Sequence, residues 1–162
     1  MTRVVGARAE VSCRLAGAGA DLAAHHRVRH AVFVAEQRIF AGSDRDAHDD
    51  DPGTLHVLGL VDGEPAGTVR LYPLGGGWWQ GDRLAVLTGH RTAGLGGPLV
   101  RFAVATAGAA GGERMVAHVQ PANERFFVRL GWIRIADVEY VGHPHVRMEI
   151  PLPGAGVQGR RV

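Results

Sequence analysis

Arg83-Leu84-Ala85-Val86-Leu87-Thr88-Gly89-His90-Arg91-Thr92-Ala93-Gly94-Leu95-Gly96-Gly97-Pro98 is the stretch on which the reading of this chain turns. Residues 83–87 are apolar and β-prone and predict a strand. Residues 95–110 are small and apolar and predict a buried helix, with Pro98 tolerated in its first turn, where an N–H would go unpaired anyway. Between them, Arg91-x-x-Gly94-x-Gly96 lets the backbone come close to a ligand. The first-turn N–H groups and the helix dipole favour an anion there, a phosphate above all, and Arg91 can add a charged contact. A plain strand-to-helix corner could carry the same glycines, so the surroundings have to decide.

Upstream, residues 9–15 roughly alternate and predict a first strand. Asp21 stands where a helix N-cap would, and Leu22, Val28, Val32, Phe33 and Ala35 recur at near-helical spacing, predicting a helix over 22–37. Residues 41–52 are rich in Asp and Gly and predict an exposed loop. Residues 54–61, the turn dipeptide Asp62-Gly63, and residues 67–72 predict a hairpin. Gly75-Gly76-Gly77 marks a further turn before Trp78 and Trp79. Downstream, 115–119 predicts a short strand, 122–130 a short helix stopped at Gly131, and 137–140 and 146–152 two closing strands. The order is strand, helix, three strands, helix, strand, helix, two strands: a mixed α/β (α+β) layer arrangement in one domain over residues 1–152, with a loose tail over 153–162.

Placed after the fourth strand and ahead of the long helix, the loop resembles the Arg/Gln-x-x-Gly-x-Gly/Ala pyrophosphate motif of the GNAT (Gcn5-related) N-acetyltransferases. Three other segments resemble that family, closest to its ElaA-like branch. They are Val32-Phe33-Val34-Ala35-Glu36-Gln37 followed by Asp44, Asp46 and His56; Gln120 with Phe126-Phe127 ahead of Gly131-Trp132; and Pro144-His145-Val146-Arg147-Met148. The resemblance runs over about residues 22–152. It implies a mixed central sheet whose fourth and fifth strands splay apart, flanked by helices, and an acyl-CoA, acetyl-CoA for example, as co-substrate. It implies that backbone groups of Leu84, Ala85 and Val86 hold the pantetheine arm. Arg91, Thr92, Ala93, Gly94, Leu95, Gly96 and Gly97 would hold the pyrophosphate, and Gln120 and Phe127 would adjoin the cofactor. Transfer would be direct, an amine attacking the thioester.

The sequence departs from the family at Phe127, where many members place a tyrosine as the acid near the sulfur. Tyr140 is then the phenol to consider besides Tyr72. His118 on the fifth strand is the first candidate for the base, because histidine titrates near neutrality, although it could equally face away as a packing or surface residue. Glu36 is the second candidate and could bind a cationic amine, or it could simply be held by an arginine. His145 and Trp79 are candidate substrate contacts; of the adjacent Trp78 and Trp79, one is expected in the core.

Composition narrows the alternatives. All 18 basic residues are arginine, so neither a lysine Schiff base nor a Walker A loop is available. Cys13 is the single cysteine, which excludes an intramolecular disulfide and reads as a packing residue. The acidic run Asp44, Asp46, His48, Asp49, Asp50 and Asp51 could hold calcium or magnesium weakly, but it lacks an EF-hand pattern and reads better as a solvated loop; no metal is expected. No apolar run is long enough for a bilayer and no signal peptide is evident, so the expected location is cytoplasmic, without membrane partners. A formal charge of +2 without a dense basic run gives no support to nucleic-acid binding. The expected activity is N-acyl transfer to a small-molecule amine, by a monomer or homodimer. The alternatives are a silent acyl-CoA-binding module and an enzyme like the acyl-homoserine-lactone synthases.

Overall fold

The computed structural model describes residues 8–154. The expected loose tail lies, from residue 155 on, outside them. The chain runs through β1 (Val11–Leu15), α1 (Ala20–Arg29), a π-helical continuation (His30–Glu36), a 3₁₀ turn (Ala47–Asp50), β2 (Leu55–Val61), β3 (Glu64–Gly75) and β4 (Trp78–Val86). A second 3₁₀ turn (Thr88–Ala93) leads to α2 (Gly96–Ala109), β5 (Arg114–Val119), α3 (Glu124–Arg129), β6 (Ile133–Tyr140) and β7 (His143–Pro151). The strands form one sheet in the order β1-β2-β3-β4-β5-β7-β6. All neighbours are antiparallel except β4 and β5.

The hairpin forms where the dipeptide predicts it. Asp62 and Gly63 both take left-handed φ, 50° and 81°, the geometry that matches the twist of two antiparallel strands. β2 is buried along nearly its whole length because both faces are covered. Val57 and Val61 pack in the core shared with Leu95, Leu99, Ala103 and Ala107, a stripe of every fourth residue along α2. Leu58 and Leu60 turn the other way and pack against Ala24 of α1. The α2 helix approaches the sheet so closely that a Cβ on Gly67 would lie 2.7 Å from Leu95 Cδ2.

The splay that the family resemblance implies is visible in the register. β4 pairs with β5 from Trp78↔Arg114 only as far as Gly81↔Ala117, then continues to Val86 with β3 as its one neighbour. The cause sits at Arg83, which has φ 53°. There the β3–β4 register slips between Thr68 and Arg70, and the Thr68 hydroxyl donates to the Arg83 carbonyl. An extra residue in a strand bends it and re-aims its side chains, here sending β4 away from β5.

Four sequence expectations need correction. Asp21 does not cap α1; Gly19 does, and Asp21 sits in the first turn, bound by Arg14 at 2.8 Å. The helix expected over 22–37 changes to π-helical winding after Arg29, with the Gln37 N–H donating to Val32 O five residues back. Trp78 and Trp79 are inside β4 rather than ahead of it. The acidic loop is solvated only in part: Asp50 and Asp51 are exposed as expected, but it folds a 3₁₀ turn and carries Asp44 to 3% exposure.

Candidate active site

The parting of β4 and β5 opens a cleft of about 310 Å³, walled by Gln80 to Leu84 on one side and Met115 to Gln120 on the other. Its roof comes from Phe33, Ile39 and Phe40 beyond α1, and its far end from Phe127, Trp132, Tyr140 and His145. The backbone edge of β4 that faces this gap can be read from one hydrogen bond. Leu87 N–H donates to Ala66 O next to β3, so the alternate residues Leu84 and Val86 direct their N–H and C=O toward the gap. Ala85 does not: it pairs with Thr68, and its side chain is buried among Val28, Val32 and Phe33. Of the three residues expected to hold a pantetheine arm, the open edge offers two.

At the head of α2 the loop has the expected construction. Gly94 takes φ 77° after the 3₁₀ turn, and the helix begins at Gly96 with no side-chain cap. Its first-turn N–H groups therefore stand without intrahelical partners. Leu95 serves packing instead, at 1% exposure. Arg91 is engaged within the chain: Nε donates to Val86 O at 3.1 Å, and its two terminal nitrogens make 2.6 Å bonds to the two oxygens of Glu36. That pairing holds the Glu36 carboxyl below its ordinary pKa. Glu36 also accepts from the Thr88 hydroxyl and lies outside the cleft wall, the arrangement expected if an arginine simply holds it. Trp79 as a substrate contact is corrected. It is 8% exposed and packs against Gly112, where a Cβ would meet its Cδ1 at 2.5 Å.

The remaining candidates come together. His118 is paired with Arg147 in the β5–β7 ladder and projects from the wall. Its ring centroid is 5.8 Å from that of Tyr140, which is 5.4 Å from His145. Partial burial lowers the His118 pKa from the usual histidine value, helped by Arg147 and His145 and opposed by Asp82. Gln120 adjoins the cleft and donates to the Gln37 side chain. Phe127 is buried at 6% exposure, edge-on to Trp132, and carries no proton.

Sequence reasoning missed the buried charges behind this cleft. Arg83 is 7% exposed; it donates to Tyr140 Oη at 2.8 Å and contacts Asp44 Oδ2 at 3.1 Å. Arg70, fully buried, holds Asp82 and Asp46, each through two hydrogen bonds. Arg29, equally buried, binds Asp44 at 2.7 Å and Asp49 through two nitrogens. Burial alone would raise the Asp49 pKa, but hydrogen bonds from His56, Arg29 and the Asp46 backbone hold it far below the usual carboxylate range. A signal was present: Arg70 interrupts the apolar run Thr68-Val69-Arg70-Leu71, and a charge inside a buried strand requires a partner. The acidic loop supplies it.

Residues 21–132 match the sequence profile described as the acetyltransferase (GNAT) family. An uncharacterized N-acetyltransferase of Bacillus subtilis (strain 168), YjcF, is 29% identical over 124 residues, covering 75% of this chain and 86% of the relative. Among solved structures, an acyl-CoA N-acyltransferase from Pseudomonas aeruginosa superposes with a TM-score of 0.73 at 22% identity, over 87% of this chain and 98% of the other. ElaA from Escherichia coli also gives a TM-score of 0.73 at 22% identity, with the same coverage. At that identity the two structures speak for the fold. No helix among the described residues is long and apolar enough to cross a membrane.

Proposed function

The chain belongs to the acetyltransferase (GNAT) family, and from that premise we propose that it is an acyl-CoA-dependent N-acyltransferase acting on the amine of a small molecule. The observation that carries the reading is the cleft opened where β4 leaves β5 beyond Gly81, with β4 running on into the glycine loop at the head of α2. The residues fit the co-substrate. Leu84 and Val86 turn backbone donors and acceptors to the gap, and α2 offers uncapped N–H groups for a pyrophosphate. Trp132, on the cleft wall, has a buried indole N–H without a partner among the described residues, which an amide-bearing arm would satisfy.

When bound, the acyl-CoA supplies a thioester carbonyl activated toward an amine. The chain's part is to hold it, to take one proton and to give one. His118, kept neutral by its surroundings, accepts the proton that the amine loses as the C–N bond forms. Tyr140 gives its phenolic proton to the sulfur as the C–S bond breaks. Arg83 makes this role available: a guanidinium only donates, so Tyr140 Oη accepts from it and keeps its own hydrogen free for the cleft.

Acetyl-CoA should stabilise the protein by mass action, by about 2.7 kcal/mol at a hundredfold excess over Kd. A thermal shift measures this, and the absence of any shift at saturation would sink the reading. Release of free thiol across a panel of small amines then separates an enzyme from a silent binder; a stabilised protein that releases none is the latter.

The Glu36–Arg91 pair yields a further expectation. Arg91 can meet a phosphate only by leaving Glu36, so Glu36→Gln should tighten CoA binding several-fold by calorimetry. Unchanged or weaker binding would mean that Arg91 stays where it is. A higher KM for the amine with unchanged CoA affinity would restore Glu36 as an acceptor ligand.

A further inference from the structure

On the far side of the buried charge network, away from the cleft, His26 of α1, Asp49 of the acidic loop and His56 of β2 converge. One ring nitrogen of each histidine and one carboxylate oxygen lie within 4.8 Å of one another. We propose that these three side chains form a binding site for a zinc-class divalent transition metal that ties α1, the acidic loop and β2 together. Two imidazoles and one carboxylate are the donor set such ions prefer, with a fourth position left to water. Zinc holds these donors about 2.0–2.2 Å away and therefore about 3.4 Å apart at tetrahedral angles, so small side-chain rotations close the set.

Two further observations point to a cation here. The Nδ1 of His26 is buried and has no hydrogen-bond partner among the described residues, a costly state for a polar atom that serves only packing. The network is also short of positive charge: Arg29, Arg70 and Arg83 face Asp44, Asp46, Asp49 and Asp82, three against four. Asp49 is the carboxylate of that network that reaches the histidines, its Oδ1 accepting from His56 Nε2 at 2.9 Å. Metal coordination replaces that one hydrogen bond, with the His56 proton carried on the other ring nitrogen. Arg29 opposes, since its Nη1 lies 2.7 Å from the same oxygen. Its repulsion tunes the affinity down, while its bidentate hold keeps Asp49 aimed at the histidines, the usual part of a partner behind a metal ligand.

The test is a Co²⁺ titration of untagged, chelator-treated protein, followed by visible d–d absorption and by thermal melting. Wild type should give a saturable band of low-symmetry, nitrogen-containing coordination, displaced by Zn²⁺, together with a raised melting temperature. His26→Ala should weaken binding at least tenfold. The ring is partly buried and its Nδ1 holds no hydrogen bond, so the metal-free melting temperature should fall only a little. His26→Gln, which keeps most of the volume, replaces it if the alanine variant is unstable. His30→Ala, one turn further on an exposed position, should bind like wild type. No saturable band at millimolar Co²⁺ would overturn the proposal, and so would an unchanged affinity in the His26 variants or a loss in His30→Ala. None of these readouts depends on acyl transfer, so the site and the acyltransferase reading can fail separately.

Discussion

Arg29→Met should destabilise the fold by about 3–5 kcal/mol, the largest loss expected from any single substitution of a polar residue in this chain. Arg29 is completely buried between Asp44 at 2.7 Å and Asp49 at 2.7 and 3.0 Å, and its Nη1 also reaches His25 Nε2 at 3.3 Å. Methionine fills the volume but leaves two carboxylates with fewer donors in a region where water cannot replace them. Asp44 keeps Arg83, and Asp49 keeps Arg70 and His56, which is why the loss stays below the cost of a bare buried charge. Against a typical stability of about 5–15 kcal/mol, this would remove a large fraction. Urea unfolding measures it. Arg14→Met, which removes the exposed pair with Asp21, is the control and should leave the midpoint unchanged. A loss at Arg29 of less than about 1 kcal/mol would mean the network behaves like a surface ion pair.

That network also marks the limit of what the sequence discloses. Features written in neighbouring residues were legible: the Asp62-Gly63 turn, the strand–loop–helix corner at Gly94 and the stripe Leu95, Leu99, Ala103 and Ala107. Each depends on spacings of a few residues. Arg83 pairs with Asp44 39 positions away and Arg70 with Asp46 24 positions away, so neither partner could be chosen before the fold was known. The acidic loop was read as solvated because Asp and Gly together mark exposed turns, and three buried arginines overrule that rule for part of it. The two tryptophans show the same limit in a strand. Adjacent residues take opposite faces, but only the pairing of Trp79 with Met115 and its contact with Gly112 assign Trp79 to the core. At the site, the motif found the loop and the strands, while register found which groups face the gap. Leu84 and Val86 face the gap, whereas Ala85 faces β3, Glu36 is held by Arg91 outside the cleft wall, and Trp79 lies in the core. The π-helical turns after Arg29 carried no signal in the spacing used, since Val32 and Phe33 fit either winding.

Tyr140→Phe should lower kcat about a hundredfold while changing the Kd for CoA less than twofold, because one oxygen atom separates the two side chains and, on the proposed mechanism, it is the atom that protonates the sulfur. The family's usual phenol position is occupied here by Phe127, packed edge-on against Trp132 and without a proton to give. Tyr140 reaches the same cleft from the end of β6, with its oxygen fixed by the Arg83 guanidinium at 2.8 Å. That bond costs Tyr140 only acceptor capacity. Losing the oxygen also strips Arg83 of one partner, so the melting temperature separates the two effects: a folded, CoA-binding, slow enzyme supports the acid, and undiminished turnover rejects it. His118 provides the opposite half of the pH profile. Its pKa is lowered, so the competent neutral form persists as pH falls through the ordinary histidine value of about 6.5, and kcat/KM should decline only below it. His118→Ala should abolish that acid limb along with most of the rate. If the limb survives in His118→Ala, the proton from the amine leaves by another route, and His145, next along the same aromatic row, is the residue to replace.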